Sequence, residues 1–194
     1  MSQIPDKELI RKCQQGNKAS FGILVGRYKD NVYNTVFRTL GNQHDAEDIA
    51  QEAFISAYKA IGKFDPERAF MPWLLKIAVN LSIDYLRRKQ MQTVSLDSIE
   101  MQSSGNLDPV KNKLHSNSDG VEELELQQTV EQLLSVLPPK YRAVIVLYYT
   151  EGLKYNEIAQ TLDIPVGTVK TYLHRGRYIL KEQAKTALRD SVEI

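Results

Sequence analysis

Apolar residues recur at helical spacing near both ends of this chain, and this periodicity limits the possible fold more than any other feature. Residues three or four positions apart share one face of an α-helix, whereas a half-buried strand needs strict alternation, which we find nowhere. We therefore predict an all-α fold. The first long helix is expected to end at Gly41. Its repeating apolar residues are Phe21, Leu24, Val25, Tyr28, Val32, Val36 and Leu40.

Further helical patterns follow on both sides of a polar segment. One helix is predicted to begin at Asp45, in the segment DAEDIAQEAFISAYKAI, and to be broken by Gly62 and Pro66. The next helix is predicted in MPWLLKIAVNLSIDYLRRK, with Pro72 in its first turn. Residues 91–120 are rich in Ser, Asn, Asp and Gly, and they lack periodicity. We predict two small helical domains, residues 1–90 and 121–194, joined by a flexible linker over 91–120.

The net charge of +1 conceals an uneven distribution. Residues 1–90 hold 14 lysines and arginines against 10 acidic residues, residues 91–137 hold 2 against 8, and residues 138–194 hold 9 against 6. Two mildly basic ends therefore flank an acidic middle, which weakly favours a polyanionic partner for the ends.

The compartment is expected to be the cytoplasm. The first ten residues have no apolar core of a signal peptide, and the longest apolar run, 143–149, is too short to span a membrane. The single cysteine, Cys13, cannot form an internal disulfide and suits a reducing environment. With so few histidines and one cysteine, we expect no metal site and no cofactor.

The segment YNEIAQTLDIPVGTVKTYLHRGRYIL, residues 155–180, has a helix-turn-helix pattern. A short helix, a tight turn at 163–165 and a second helix from about Val166 would place small and aliphatic residues inward. Such a second helix fits the major groove of DNA, where residues near its start meet base edges and flanking cations meet phosphates. Thr168 lies in its first turn. The expected base-facing residues are Lys170, Thr171, His174 and Arg175, and the expected phosphate contacts are Arg177, Arg142 and Lys154.

Periodicity alone leaves a second interpretation of this segment open, namely a solvated charged face on an ordinary helical hairpin. The combination of short helix, tight turn, inward aliphatics and outward cations favours DNA binding.

A helix-turn-helix in the C-terminal third gives no role to two features of the N-terminal half. One is an acidic helical face that repels DNA and suits a protein partner, although a plain solvated face has the same pattern. It comprises Asp45, Asp48, Gln51 and Glu52, with Phe54 and Ile55 close by.

The other feature is a loop with aromatic residues followed by a polar helical stripe. Aromatic rings beside amides and cations suit single-stranded bases, which stack on rings and expose their edges. Phe70 and Trp73 also fit a hydrophobic core. We expect Asp84 to accept from a base amino group or to pair with Arg87 or Arg88. The candidate residues are Phe64, Phe70, Lys76, Asn80, Asp84, Arg87 and Arg88.

These motifs, in this order, resemble the sigma-70 family of bacterial transcription initiation factors, in particular its small extracytoplasmic-function (ECF) group. DAEDIAQEAFISAYKAI resembles region 2.2, FDPERAF with WLLKIAVNLSIDYLRRK resembles regions 2.3 and 2.4, and residues 137–177 resemble region 4. The resemblance implies a dissociable, non-catalytic specificity subunit of core RNA polymerase that directs it to promoter DNA.

The resemblance also implies a role for each surface. The acidic face would bind the clamp helices of the polymerase β′ subunit, and the β flap is a second expected contact on core polymerase. The loop and polar stripe would capture the melted minus-ten strand, with a flipped base near Asn80 and the 64–70 loop. The helix-turn-helix would read the paired minus-thirty-five element through Thr168, Lys170, Thr171, His174, Arg175 and Arg177. An anti-sigma factor is a further expected partner.

Two other functions compete with this interpretation. A dimeric repressor or activator would use the helix-turn-helix on a palindromic site, but it gives no role to the acidic helix or the loop aromatics. A recombinase-like enzyme would need a nucleophile with supporting arginines or a set of metal-binding carboxylates. Asp45, Asp48 and Glu52 could be mistaken for such a set of carboxylates, but they lie on one short helix. The sequence also contains no phosphate-binding loop motif.

Overall fold

The computed structural model describes residues 4–97 and 129–190, and the regular structure in these ranges is helical, as the periodicity predicts. In the first domain the helices are α1 (Asp6–Gln14), α2 (Lys18–Leu40), α3 (Gln43–Ala60) and α4 (Phe70–Asp97), with a 3₁₀ turn at Ile61–Lys63. In the second domain they are α5 (129–135), α6 (Pro139–Tyr149), α7 (Tyr155–Leu162) and α8 (Val166–Asp190).

Local chemistry explains where α2 and α3 begin and where α2 ends. The side chain of Asn17 accepts a hydrogen bond from the Ser20 amide, and that of Asn42 accepts one from the Asp45 amide. Both satisfy an otherwise unpaired amide in a first helical turn. Gly41 adopts φ 76°, a left-handed conformation that glycine takes without strain, and it ends α2 as predicted.

The first core lies between α1, α2, α3 and α4. The apolar stripe predicted for α2 supplies Phe21, Leu24, Val32 and Val36, all of which are buried. On α3 the inward positions are mostly alanines, whose small side chains let the neighbouring helices approach closely. Leu74 and Ala78 complete this core from α4.

Helix α4 also belongs to a second core. Leu75 and Val79 are fully buried among Leu147, Ile158 and Leu173 of the second domain. Residues on adjacent faces of α4 therefore pack into different domains. The two predicted helical domains are in direct contact, and α4 continues to Asp97, past the predicted boundary at residue 90. The predicted linker lies mostly outside the described residues.

Polar contacts accompany this apolar interface. The buried hydroxyl of Thr35 donates to Glu151 at 2.7 Å, and the Lys76 ammonium donates to the Gln160 carbonyl at 3.1 Å. Each bond joins a residue of the first domain to one of the second. The contact surface therefore combines close apolar packing with specific hydrogen bonds.

Arg142 corrects one prediction, because it does not contact solvent as a phosphate ligand must. Its guanidinium is buried and donates to three carbonyls, those of Thr39 in the first domain and of Ser135 and Leu137 in the second. Burial lowers the pKa of this group. Arg142 therefore satisfies the carbonyls at two chain turns and has a structural role.

Candidate nucleic-acid interface

The helix-turn-helix is formed by α7, a three-residue turn and α8. Glu157 accepts a hydrogen bond from the Lys154 amide at 2.7 Å and so caps the start of α7. Asp163 has a left-handed backbone at φ 55°, and the next amide, that of Ile164, returns to the Ala159 carbonyl. This closes α7 and reverses the chain, after which α8 begins at Val166 as predicted.

Packing fixes which face of α8 is exposed. Val169 and Leu173 are buried, and Gly176 lies against α6, where an added Cβ atom would be only 3.0 Å from Cγ1 of Ile145. The opposite face is exposed, while Thr168 is half-buried. The structure thus brings together, on one outer surface, Lys170, Thr171, His174, Arg175 and Arg177.

Two clusters of tyrosines and cations flank this exposed face, and neither was predicted from the sequence. In one, Tyr141 packs on Tyr172 at 5.1 Å, and the Arg175 guanidinium lies 3.4 Å from the Tyr141 hydroxyl. In the other, Arg177 lies over Tyr148 and Tyr149. The density of tyrosines at the ends of α6 and α7 was the available signal, because rings beside an exposed cationic helix favour cation–π contacts.

The polar stripe of α4 is exposed over most of its length. Asn80, Asp84, Arg87 and Arg88 face solvent, and Asp84 pairs with Arg87 at 3.2 Å, one of the two pairings expected. Lys76 is half-buried, since its ammonium reaches the second domain. The four exposed residues form a hydrophilic surface beside the interdomain contact.

The aromatic loop does not form an open base-stacking pocket, which corrects the prediction for Phe64 and Phe70. Their rings are only 6% and 3% exposed, and each contacts Trp73, at 4.6 and 5.5 Å between centroids. The three rings pack on the first core. Their packing holds the loop ahead of α4 in place. This agrees with the alternative interpretation, in which Phe70 and Trp73 belong to the hydrophobic core.

The acidic face of α3 is partly exposed. Asp48, Gln51 and Glu52 face solvent next to Ile55, which is 54% exposed, whereas Phe54 packs against the core. A surface of carboxylates around an exposed apolar side chain suits a protein partner better than DNA.

Asp45 has a different environment from the rest of the acidic face. Its mostly buried carboxylate accepts from the Lys89 ammonium of α4 at 3.1 Å. This hydrogen bond raises the pKa of Lys89 because it stabilises the charged form. Asp45 therefore links α3 to α4.

Within residues 4–97 and 129–190, no group of three or more histidine, cysteine, aspartate or glutamate side chains is placed to hold a metal ion.

None of the helices described is both long and apolar enough to cross a membrane.

Comparison with known proteins gives matches over both domains. A family model for Sigma-70 region 2 matches residues 24–91, and one for Sigma-70, region 4 matches residues 127–180. The ECF RNA polymerase sigma factor SigW of Bacillus subtilis is 43% identical over 185 residues, covering 92% of this chain and 96% of SigW. The ECF RNA polymerase sigma-E factor of Escherichia coli K12 is 34% identical over 192 residues, covering 96% and 98%.

Solved structures match as well. CnrH in complex with the cytosolic domain of CnrY superposes with a TM-score of 0.66 at 26% identity, covering 93% of this chain and 97% of CnrH. RpoE of Bartonella quintana, in complex with the anti-sigma factor NepR, has a TM-score of 0.65 at 19% identity and covers 85% and 96%, which supports the fold alone.

The fold and its exposed surfaces define a two-domain, all-α protein with a DNA-binding helix-turn-helix in its second domain. The chain belongs to the ECF group of the sigma-70 family, because both family models match and relatives more than 30% identical span nearly its whole length. The resemblance recognised in the sequence is confirmed. Members of this family are non-catalytic specificity subunits of RNA polymerase that direct promoter-specific transcription initiation.

Proposed function

We propose that this sigma factor binds core RNA polymerase through α3 and contacts its promoter at two separate places, the paired minus-thirty-five element through α8 and the melted minus-ten strand through α4. The observation that carries this proposal is that α3, α4 and α8 expose three surfaces of different chemistry. One is acidic with an apolar centre, one is mixed polar, and one is cationic on a helix-turn-helix.

At the minus-thirty-five element, the exposed residues nearest the start of α8 are assigned to base edges. Lys170, Thr171, His174 and Arg175 are all exposed. The Thr171 hydroxyl donates to the Gly167 carbonyl at 2.9 Å, which leaves its oxygen available as an acceptor. Cations farther along or beside the motif, such as Arg177 and Lys154, are assigned to phosphates, which fix the register of the helix on the duplex.

At the minus-ten element, Asn80 is assigned to the edge of an unstacked base, because an amide offers both donors and an acceptor. Arg87 and Arg88 are assigned to the strand backbone, with Asp84 orienting Arg87. Phe64 and Phe70 support this surface from the core. Lys76 can contact the strand only when its bond to the Gln160 carbonyl is released.

For polymerase, the proposed contact surface is formed by Asp48, Gln51 and Glu52 around Ile55, and its partner is the pair of β′ clamp helices. The second domain would bind the β flap. Two other residues of α3 hold this helix in place. Phe54 packs on the first core, and Asp45 pairs with Lys89 of α4.

An anti-sigma factor is proposed as a regulatory partner, and the cytoplasm as the compartment. CnrH, which shares this fold at 26% identity, was solved in complex with the cytosolic domain of CnrY. A cytosolic protein that covers the surfaces for polymerase and DNA would control this chain in the compartment where transcription takes place.

The test is transcription of fragmented genomic DNA by purified core polymerase, with and without the protein, followed by mapping of the RNA start sites. We expect a new, limited set of starts that depends on the protein. The variant Glu52→Lys should abolish it by reversing charge on the polymerase surface, whereas Glu8→Lys, an exposed change on α1, should not. An unchanged set of start sites on adding the wild-type protein would reject the proposal.

A further inference from the structure

Arg177 lies next to an unusual cluster of aromatic rings. Its guanidinium carbon is 5.6 Å from the ring centroid of Tyr148 and 5.5 Å from that of Tyr149. Tyr148 in turn packs edge-on against Tyr149 at 4.9 Å and lies 5.4 Å from Tyr155. The end of α6 and the start of α7 therefore supply three rings beside one cation of α8.

These rings restrict a side chain that would otherwise be highly mobile. A free arginine side chain loses about 2 kcal/mol of conformational entropy when it is fixed, so prior ordering on aromatic rings leaves less to lose on binding. Partial burial lowers the pKa of Arg177, but the hydroxyls of Tyr155 and Tyr149 more than offset this, and the pKa is raised overall. The rings thus hold the guanidinium in place, and its charge is present at neutral pH whatever the size of this shift.

The hydroxyls of Tyr155 and Tyr149 hydrogen-bond to the Arg177 guanidinium, but with five N–H donors it keeps others available for an anion. Within the part of the chain that the structure describes, no carboxylate forms a salt bridge with this guanidinium. Tyr149 is 60% exposed, so its ring is presented to solvent instead of contributing to the core. An ordered, unneutralised arginine at the surface is suited to binding an oxyanion.

The surroundings indicate which anion this is. Arg177 shares a side of α8 with Lys170 and His174, because positions three, four and seven residues apart on a helix lie on one face. Beside the rings, an open groove of about 430 Å³ is lined by Tyr148, Tyr155, Lys154 and Lys170, among others. Cations thus extend along one edge of the helix-turn-helix, as the backbone of a duplex seated on α8 requires.

This inference rests on the function proposed above for α8. We propose that Tyr148 and Tyr149 are positioning residues that hold Arg177 for a contact with a backbone phosphate of the minus-thirty-five duplex. The tyrosines themselves need not touch DNA. Their contribution is to fix the guanidinium on the side of α8 that faces the groove.

The test measures binding of the full chain to a short, labelled duplex of mixed sequence over a series of salt concentrations, because a phosphate contact does not depend on sequence. Tyr149→Leu should weaken binding about two- to fivefold, the range of an exposed cation–π contact. Arg177→Ala should weaken it further and reduce the magnitude of the salt slope by about 1. The double variant with Tyr149→Leu and Arg177→Ala should bind the duplex as weakly as Arg177→Ala alone.

Two control variants separate positioning from general stability. Tyr149→Phe keeps the ring and should bind nearly as the wild type does. Tyr58→Leu removes a partly exposed tyrosine, 39%, from α3 of the first domain, away from α8, and it should leave binding unchanged. The inference would be overturned if Tyr149→Leu weakened binding equally with and without Arg177, or if it had no effect at all. It would also be overturned if the wild type did not bind the duplex at low salt. Since this assay contains neither polymerase nor a promoter, its outcome is independent of start-site selection.

Discussion

Arg142 and Arg175 carry the same charge in opposite environments. Arg142 is buried and donates to three carbonyls, whereas Arg175 is exposed and, among the described residues, donates only to the Tyr141 hydroxyl at 3.4 Å. A buried guanidinium whose two terminal nitrogens donate to the chain cannot bind a nucleic acid. Exposure and unused donors, and not the residue type, therefore decide which arginines of the second domain can recognise DNA.

Replacing Arg175 by alanine should weaken binding of holoenzyme to its mapped promoters by about 1–3 kcal/mol, the range for loss of a bidentate base contact. Because the side chain is exposed, the free energy of unfolding should hardly change. The measurement is promoter affinity by gel shift, with Lys29→Ala, an exposed cation on α2, as the matched control. Equal affinity of the wild type and Arg175→Ala would remove Arg175 from the recognition surface.

Gly176 tests the packing behind the recognition helix. A methyl group there would meet Cγ1 of Ile145 at 3.0 Å and Cδ1 at 3.3 Å, so overpacking of about 1–3 kcal/mol should exceed the gain in helix propensity of about 1 kcal/mol. Gly176→Ala should therefore be destabilising in urea unfolding.

Gly26→Ala, in the interior of α2, is the matched control, since nothing lies within 4 Å of the added methyl group and the same propensity term should stabilise the protein. If both variants were stabilised, the close approach of α6 and α8 would be wrong.

At the scale of the helix, α4 has three functions on different faces. Leu74 and Ala78 pack in the first core, Leu75 and Val79 pack in the second, and Asn80 and Asp84 face solvent. The exposed face lies between the two faces that pack in the cores. The surface proposed for the minus-ten strand is thus held rigidly by packing on both sides of it.

The variant Asn80→Ala should impair open-complex formation more than closed-complex binding, because the amide is assigned to a base that is exposed only after melting. Permanganate reactivity of melted thymines reports the first step, and gel shift at low temperature reports the second. Asn34→Ala, an exposed amide on α2, is the control. A parallel loss in both steps would contradict the single-strand role.

The sequence predicted the elements better than it predicted their environments. The end of α7 and the start of α8 were predicted from periodicity and the turn at 163–165, because these signals are local. The burial of Phe64 and Arg142 was not predicted, and that of Phe70 was predicted only as an alternative, since burial depends on residues distant in the chain. Asp45 was grouped with its helical neighbours by spacing, but its actual partner, Lys89, lies on another helix.

For the whole molecule, the joint packing around α4 predicts cooperative unfolding of the two domains. Trp73, the single tryptophan, reports on the first domain, while far-ultraviolet circular dichroism reports on all helices. In the wild type the two urea transitions should coincide. Leu75→Ala with Val79→Ala removes apolar contacts of the second core, at about 2–5 kcal/mol for the leucine, and should separate the transitions.

Val25→Ala, a half-buried change on α2 within the first core, is the control and should shift both probes together. Separate transitions in the wild type would show that the two domains unfold independently.

The position of Leu75 and Val79 has a consequence for protein engineering. A chimera that joins the N-terminal half of this chain to the C-terminal half of a relative would leave these two side chains facing a foreign surface. Such hybrids should be stable only when residues 75 and 79 are substituted together with the C-terminal half, while Leu74 and Ala78 are kept for the first core. A single crossover point cannot meet both conditions, because the residues of the two cores alternate along this helix.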